Sequence, residues 1–135
     1  MNLSAEAEID IPFFDVDPMR VVWHGHYVKY FEVARCALLR SIDYDYPQME
    51  VSGYLWPVVE IYLRYVKPAR YGRRVLVRAQ LLEYENRLKI GYVISERESG
   101  ERLTKGWSVQ VALDAATQEL QFVSPQVLIE KVRGR

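Results

Sequence analysis

Asp15, Asp17, His24 and His26 fall within a dozen residues of one another, in the stretch Phe13-Phe14-Asp15-Val16-Asp17-Pro18-Met19-Arg20-Val21-Val22-Trp23-His24-Gly25-His26-Tyr27. A carboxylate can take a proton or attack an electrophile, and an imidazole can move a proton near neutral pH. No other part of the chain gathers such groups so densely. Gly-x-Ser-x-Gly, a P-loop and a dinucleotide fingerprint are all missing from the sequence. No Ser or Cys pairs with a His as nucleophile and base. Each candidate also has an ordinary reading. Asp17 precedes Pro18 and suits a turn. Asp15 suits a structural role, fixing that turn by side-chain-to-backbone bonds. The His24 side chain has two open readings, a bond to Asp17 or a substrate, or simple packing. Two His without a third defined ligand do not make a metal site, and none is expected.

The flanking elements must position this stretch. Ala7, Ile9, Ile11 and Phe13 alternate with Glu6, Glu8 and Asp10, which predicts a half-buried strand over 6–13. Asp15 to Pro18 breaks it. A long helix is expected from about His24 to Ile42, with Tyr27, Tyr30, Phe31, Val33, Ala34, Ala37, Leu38 and Ile42 on its apolar side. Lys29, Glu32, Arg35 and Arg40 fill the other side, and Cys36 reads as a packing residue. Gly25 is either tolerated in the first turn or keeps the backbone open to a ligand. A loop is expected from Asp43 to about Gly53.

Period-two alternation then predicts strands over 55–66, 74–84, 88–97 and 103–113, with short turns that make neighbours antiparallel. Leu120 to Val123 reads as a short last strand. Ser124 reads as a helix N-cap and Pro125 as the first helical residue of a short amphipathic helix. One sheet with one apolar helix is α+β, in a single domain over 1–135. The second sheet face carries Tyr62, Arg64, Val66, Leu76 and Leu82, a mixture that suits a partial subunit interface.

The composition narrows the classes of function. With 50% hydrophobic and 27% charged residues, the chain reads as soluble and globular, not disordered. Eighteen Lys and Arg balance eighteen Asp and Glu, so there is no basic surplus for nucleic acid. One Cys excludes a disulfide framework and makes a reducing compartment the default. The first residues lack the basic and apolar regions of a signal peptide, and no apolar run has the length of a membrane span. A cytoplasmic protein without membrane contact is the expectation.

The pattern Asp15-Val16-Asp17-Pro18, then Val21-Val22-Trp23-His24 and Tyr27, then Phe31-Glu32 and Ala34-Arg35, resembles the 4-hydroxybenzoyl-CoA thioesterase-like family of hotdog-fold acyl-CoA thioesterases. The order of elements matches along nearly the whole chain. The resemblance implies a five- or six-stranded antiparallel sheet wrapped around a long central helix. It also implies sheets joined between two protomers, dimers that pair into a homotetramer, and an acyl-CoA site at the protomer interface.

By the resemblance, Asp17 is the nucleophile or general base of thioester hydrolysis, and the backbone N–H of His24 polarises the carbonyl. Free N–H groups and the positive dipole end at a helix N-terminus suit that task. Arg20, Trp23, Tyr27, Arg87 and Lys89 are the substrate-binding candidates, the last two where the family often faces the CoA phosphates. A solvated strand edge is an equal reading for Arg87 and Lys89. Arg20 departs from the pattern, since much of the family has Gly there. No cofactor is implied beyond the coenzyme A of the substrate. Open alternatives are a thioesterase acting on an acyl carrier protein, a non-catalytic acyl-CoA-binding module and a dehydratase on the same fold. The Asp-x-Asp start argues against the last.

Overall fold

In the computed structural model, which describes residues 3–134, the period-two segments form a five-stranded antiparallel sheet in the order β1-β4-β5-β6-β3. The strands are β1 (Ser4–Asp10), β3 (Val58–Tyr65), β4 (Arg74–Glu83), β5 (Leu88–Glu96) and β6 (Arg102–Gln110). On the inner face, Val75, Val77 and Ala79 of β4 and Leu88, Ile90, Tyr92 and Ile94 of β5 are buried. The outer face mixes Arg78, Gln80, Lys105 and Arg64 with Leu76, Val93, Trp107 and Tyr62.

Short turns join β4 to β5 and β5 to β6, as expected. The β3 strand does not lie beside β4, its successor in the chain. It pairs with β6 at the opposite edge of the sheet. The connection from Val66 to Arg73 is long enough to cross the sheet, and Gly72 supplies a left-handed residue at φ 84° for its last bend. This crossing segment passes the start of the long helix and helps to build the site.

The helix α1 (Tyr27–Ser41) lies on the inner face, preceded by a 3-10 turn, His24–His26. Tyr27, Tyr30, Phe31, Ala34 and Leu38 are buried against the sheet, which is the expected stripe. The Phe31 ring stacks on Tyr92 with centroids 4.3 Å apart. Two positions depart from the expected faces. Val33 is exposed, whereas Arg35 is buried. The reason is a second helix that covers Arg35: its guanidinium donates to the Tyr46 hydroxyl and the Glu32 carboxylate, each at 2.8 Å.

That second helix, α2 (Tyr46–Ser52), replaces the loop expected there. Its signals were in the sequence. Asp45 and Gln48 stand in capping-box positions, with Gln48 Oε1 accepting the Asp45 N–H at 3.1 Å. Pro47 sits in the first turn, and Gly53 closes the helix at φ 86°. The strand expected over 55–66 is split, because Pro57 has no N–H to continue the ladder. Its first part, β2 (Tyr54–Leu55), pairs instead with β7 (Leu113–Asp114).

Leu120 to Val123 is not a strand; only Leu120 makes a bridge, to Leu113. The last helix, α3 (Gln126–Arg133), starts after Pro125, and Ser124 does not cap it. The Ser124 hydroxyl is buried without a hydrogen-bond partner among the described residues.

Candidate active site

Asp15 is 1% exposed and anchors the motif. Both its carboxylate oxygens accept from Lys29 Nζ at 2.8 Å, and Oδ2 also accepts from the Tyr30 hydroxyl at 2.7 Å. His26 Nε2 stands 3.8 Å from Oδ1. Burial alone would raise the Asp15 pKa. The bonds from Lys29 and Tyr30 and the charges of Lys29 and His26 outweigh it, so the carboxyl titrates below its ordinary range. Asp15 is therefore structural, as read, but through side chains of α1 and not through the backbone. It ties the motif loop to the first turn of the helix. Burial and Asp15 together push the Tyr30 phenol well above its ordinary value.

Asp17 begins a tight turn. Its carbonyl accepts from the Arg20 N–H at 2.8 Å, its own N–H donates to Val21 O at 2.9 Å, and Val16 bridges Val22. One carboxylate oxygen accepts from the Met19 N–H at 2.8 Å. The other has no partner among the described residues. So Asp17 is a turn residue with one oxygen left over. Arg20 sits at φ 66°, the left-handed region. That is where a three-residue hairpin loop ordinarily takes Gly. A side chain there costs on the order of 1 kcal/mol, a backbone reason for the Gly that the family resemblance implies at this position. The Arg20 side chain is exposed and makes no ion pair among the described residues.

Next the chain turns into the helix. The Val22 N–H donates to Ala69 O of the crossing segment at 2.8 Å, and the Trp23 N–H to Asp15 O at 3.0 Å. The Trp23 indole lies over Gly25, where a Cβ would collide with it. Gly25 therefore leaves room for an aromatic ring, a third reading beside the two considered. The N–H groups of His24 and Gly25 have no acceptor among the described residues. They point out of the start of the helix, where free donors and the dipole favour an anion.

Tyr65, at the end of β3, holds this turn by donating to His24 O at 2.7 Å. Its ring packs edge-on against Tyr27, centroids 5.0 Å apart, while the Tyr27 hydroxyl accepts from the Ala69 N–H at 3.0 Å. Val22, His24, Tyr27, Tyr65, Lys67 and Pro68 line a pocket of about 240 Å³. Burial pushes the Tyr27 phenol up, and the bond from the Ala69 N–H partly offsets it.

Asp17, Arg20, Trp23, His24 and Tyr27 are gathered at one end of α1. Arg87 and Lys89 are not part of that cluster within one copy. The ladder places Leu88 opposite Gln110 and Gln110 opposite Val58, at the other end of the sheet from Tyr65. Arg87 pairs with Glu83 at 2.9 Å, and Lys89 lies over the Trp107 ring at 4.8 Å. Lys29, Tyr30, Tyr65 and Ala69 are the residues that sequence reasoning missed. Tyr65 had a signal, a polar-tipped ring ending a strand just before a Pro-containing connection, but its target lies 41 positions away.

Comparison with known proteins identifies the family. Residues 11–130 match the thioesterase-like superfamily. A Bacillus subtilis (strain 168) protein named "Putative acyl-CoA thioesterase YneP" is 32% identical over 124 residues, covering 90% of this chain and 88% of its own. A DHNA-CoA thioesterase from Staphylococcus aureus superposes with a TM-score of 0.79 at 29% identity, covering 87% of this chain and 78% of that one. A 4-hydroxybenzoyl-CoA thioesterase complexed with 4-hydroxybenzoyl-CoA shares the fold, with a TM-score of 0.82 at 18% identity over 96% of this chain and 98% of that one. The chain belongs to the thioesterase-like superfamily, on the hotdog fold that its motif implied.

Proposed function

We propose that this chain hydrolyses the thioester of an acyl-CoA to the free acid and CoA, with Asp17 as the attacking group or its base and the His24 N–H as oxyanion donor. The observation that supports it best is the helix start that follows the Asp17 turn, where the His24 N–H has no acceptor among the described residues.

The chemistry is balanced on these groups. A thioester carbonyl is electrophilic, and thiolate leaves without much acid help. If the free Asp17 oxygen attacks, a C–O bond forms and the carbonyl oxygen becomes an anion, held by the His24 N–H. Collapse breaks the C–S bond, and water then cleaves the resulting anhydride. If Asp17 acts as base, it takes the proton of the attacking water and the same oxyanion forms. Either route needs the carboxylate and one donor. Trp23 and Tyr27 flank the reacting end in this reading, and Arg20 is free to meet an anionic part of the substrate.

The reading also takes the active form to be a dimer. β3 is an edge strand with Val58, Val59, Ile61, Tyr62 and Tyr65 all exposed. Such an edge is ordinarily covered or paired. Pairing with a second β3 would run antiparallel and bring the Arg87 and Lys89 end of one copy beside the His24 end of the other.

The test is Asp17→Asn across a panel of acyl-CoA esters, following release of free thiol. The Asn oxygen can still accept the Met19 N–H, so the turn is retained. kcat is expected to fall at least about 10²-fold with folding intact. An unchanged rate would remove Asp17 from the chemistry. A parent protein that binds acyl-CoA but hydrolyses none of the panel would make the chain a binding module. Activity confined to thioesters of acyl carrier protein would shift the substrate and keep the mechanism.

A further inference from the structure

The motif loop and the crossing segment meet at the surface in a patch that thioester hydrolysis does not use. The Ile11 N–H donates to Arg73 O at 3.0 Å, and Val21 bridges Arg70. Between these two contacts the Phe13 ring packs edge-on against Tyr71, centroids 5.9 Å apart. Phe13, Phe14 and Met19 are 74%, 79% and 74% exposed, and Tyr71 is 56% exposed. Large apolar side chains this bare, gathered together, mark an interaction surface. They stand on a 3-10 turn and on the loop of the Asp17 turn, so they protrude and line no groove.

Arginines border the rings. Arg70 and Arg73 lie on either side of Tyr71 in the chain, and Arg20 follows Met19. All three are exposed, and none makes an ion pair among the described residues. Of the carboxylates on these two segments, Asp15 is buried under Lys29, and Asp10 pairs with Arg74 at 2.7 Å. That leaves Asp17 against three arginines, a positive surface. The patch adjoins the ends of β1 and β4, and β5 and β6 separate β4 from β3. A dimer joined through β3 therefore leaves it open. A two-fold contact through the patch itself would set arginine against arginine, so a second copy is a poor occupant.

An anionic lipid surface is a good one. Aromatic and apolar tips enter the boundary between headgroups and acyl chains, while guanidinium groups meet the phosphates. A fluid layer closes around protruding side chains, whereas a folded partner would need a hollow of matching shape. We propose that this patch docks the protein peripherally on an anionic bilayer, with Phe13, Phe14, Met19 and Tyr71 in the interface and Arg70 and Arg73 on the lipid phosphates. No helix among the described residues is long and apolar enough to cross a membrane, so the contact is one of surface only. It is built from two segments far apart in the chain. No apolar run announces it, which is why the sequence led to the expectation of no membrane contact. Docking does not depend on the hydrolytic reading. Where that reading holds, docking sets the Asp17 turn at the surface into which long acyl chains partition.

Sedimentation of the intact protein with vesicles tests the proposal. Vesicles of equal parts phosphatidylglycerol and phosphatidylcholine are expected to bind it at least about tenfold more tightly than phosphatidylcholine alone. Added salt should weaken that binding. The double variant Phe13→Ser, Phe14→Ser is expected to lose at least about tenfold on the mixed vesicles. Arg70→Gln, Arg73→Gln is expected to bind both kinds of vesicle alike. Both variants keep the backbone contacts and should melt as the parent does. In the parent, a spin-labelled lipid should broaden the amide signals of Phe13, Phe14 and Tyr71 and spare that of Val51 on α2, a reading that needs no variant. Absence of binding to the mixed vesicles would overturn the proposal. So would equal binding of the parent to both kinds, or unaltered binding by the Phe double variant. Binding to an acidic acyl carrier protein in place of vesicles, lost in the arginine variant, would overturn it in favour of a protein-docking surface. A fall in oligomer mass of the Phe variant, without vesicle binding by the parent, would overturn it in favour of a subunit contact.

Discussion

Asp15 and Asp17 are two residues apart, yet one is buried and fully bonded while the other keeps an oxygen free. The difference explains why the motif needs both. The Asp15 carboxylate fixes the loop against α1, and that anchoring holds the Asp17 turn and the Trp23 N–H in place. Its partners were not legible, because Lys29 and Tyr30 lie 14 and 15 positions on, across a turn whose path the sequence does not reveal. The Asp17 turn was legible from Pro18, and so was the oddity of Arg20, though not its backbone cause.

The Asp15 anchor has a measurable signature. Its folded-state pKa lies below the unfolded value near 3.9, so the ionised carboxylate stabilises fully above that value. The contribution is lost as pH falls through the lowered folded-state pKa. Hydrogen bonds to a charged group are worth about 1.5–3 kcal/mol, and the half-exposed Lys29 reduces its share through solvent screening. Asp15→Asn is expected to cost about 1–3 kcal/mol at pH 7, seen as a melting temperature several degrees lower. The loss should shrink as pH drops below about 4. Melts from pH 2 to 7 on both proteins check it; parallel curves across that range would mean that Asp15 carries no such linkage.

At the scale of elements, the helix start is a joint made of three segments. The motif loop supplies Trp23, the crossing segment supplies Ala69, and β3 supplies Tyr65. α1 and the inner sheet face were legible because long period-3.6 and period-two patterns are strong signals. The strand expected at Leu120 failed because a short apolar run has no periodicity to test. α2 was passed over although its capping residues were present, since its apolar face is small.

Tyr65 bears most directly on the site. Its hydroxyl bonds the His24 carbonyl, which fixes the turn that presents the His24 N–H. Tyr65→Phe keeps the ring against Tyr27 and removes that one bond. A bond of this kind is worth about 0.5–1.5 kcal/mol, so kcat should fall about 3- to 10-fold with KM nearly unchanged. A rise in KM alone would mean that Tyr65 contacts substrate and does not position the donor.

At the scale of the molecule, the strand order was the largest thing hidden in the sequence. Short turns suggested that β3 lies next to β4, whereas the crossing places it at the far edge. That placement leaves an eight-residue strand with its apolar side chains exposed. A long, apolar, unpaired edge is an aggregation liability unless something covers it. In the proposed dimer a second β3 does so. Antiparallel pairing then sets the Leu55 and Trp56 end of one copy near the His24 end of the other. The apolar pocket of about 520 Å³ around Met49, Tyr54, Leu55 and Trp56 would extend the small pocket at His24. Ile61, at mid-strand and 39% exposed, tests this. A Lys there blocks edge pairing by charge, as natural edge strands do. Ile61→Lys is expected to halve the mass seen by light scattering and to abolish hydrolysis, with the melting transition still cooperative. Val51→Lys, on the 90% exposed face of α2, serves as the control and should change neither. If Ile61→Lys becomes a monomer that hydrolyses acyl-CoA at the parent rate, the site is complete in one chain and the joined-sheet assembly is not needed for catalysis.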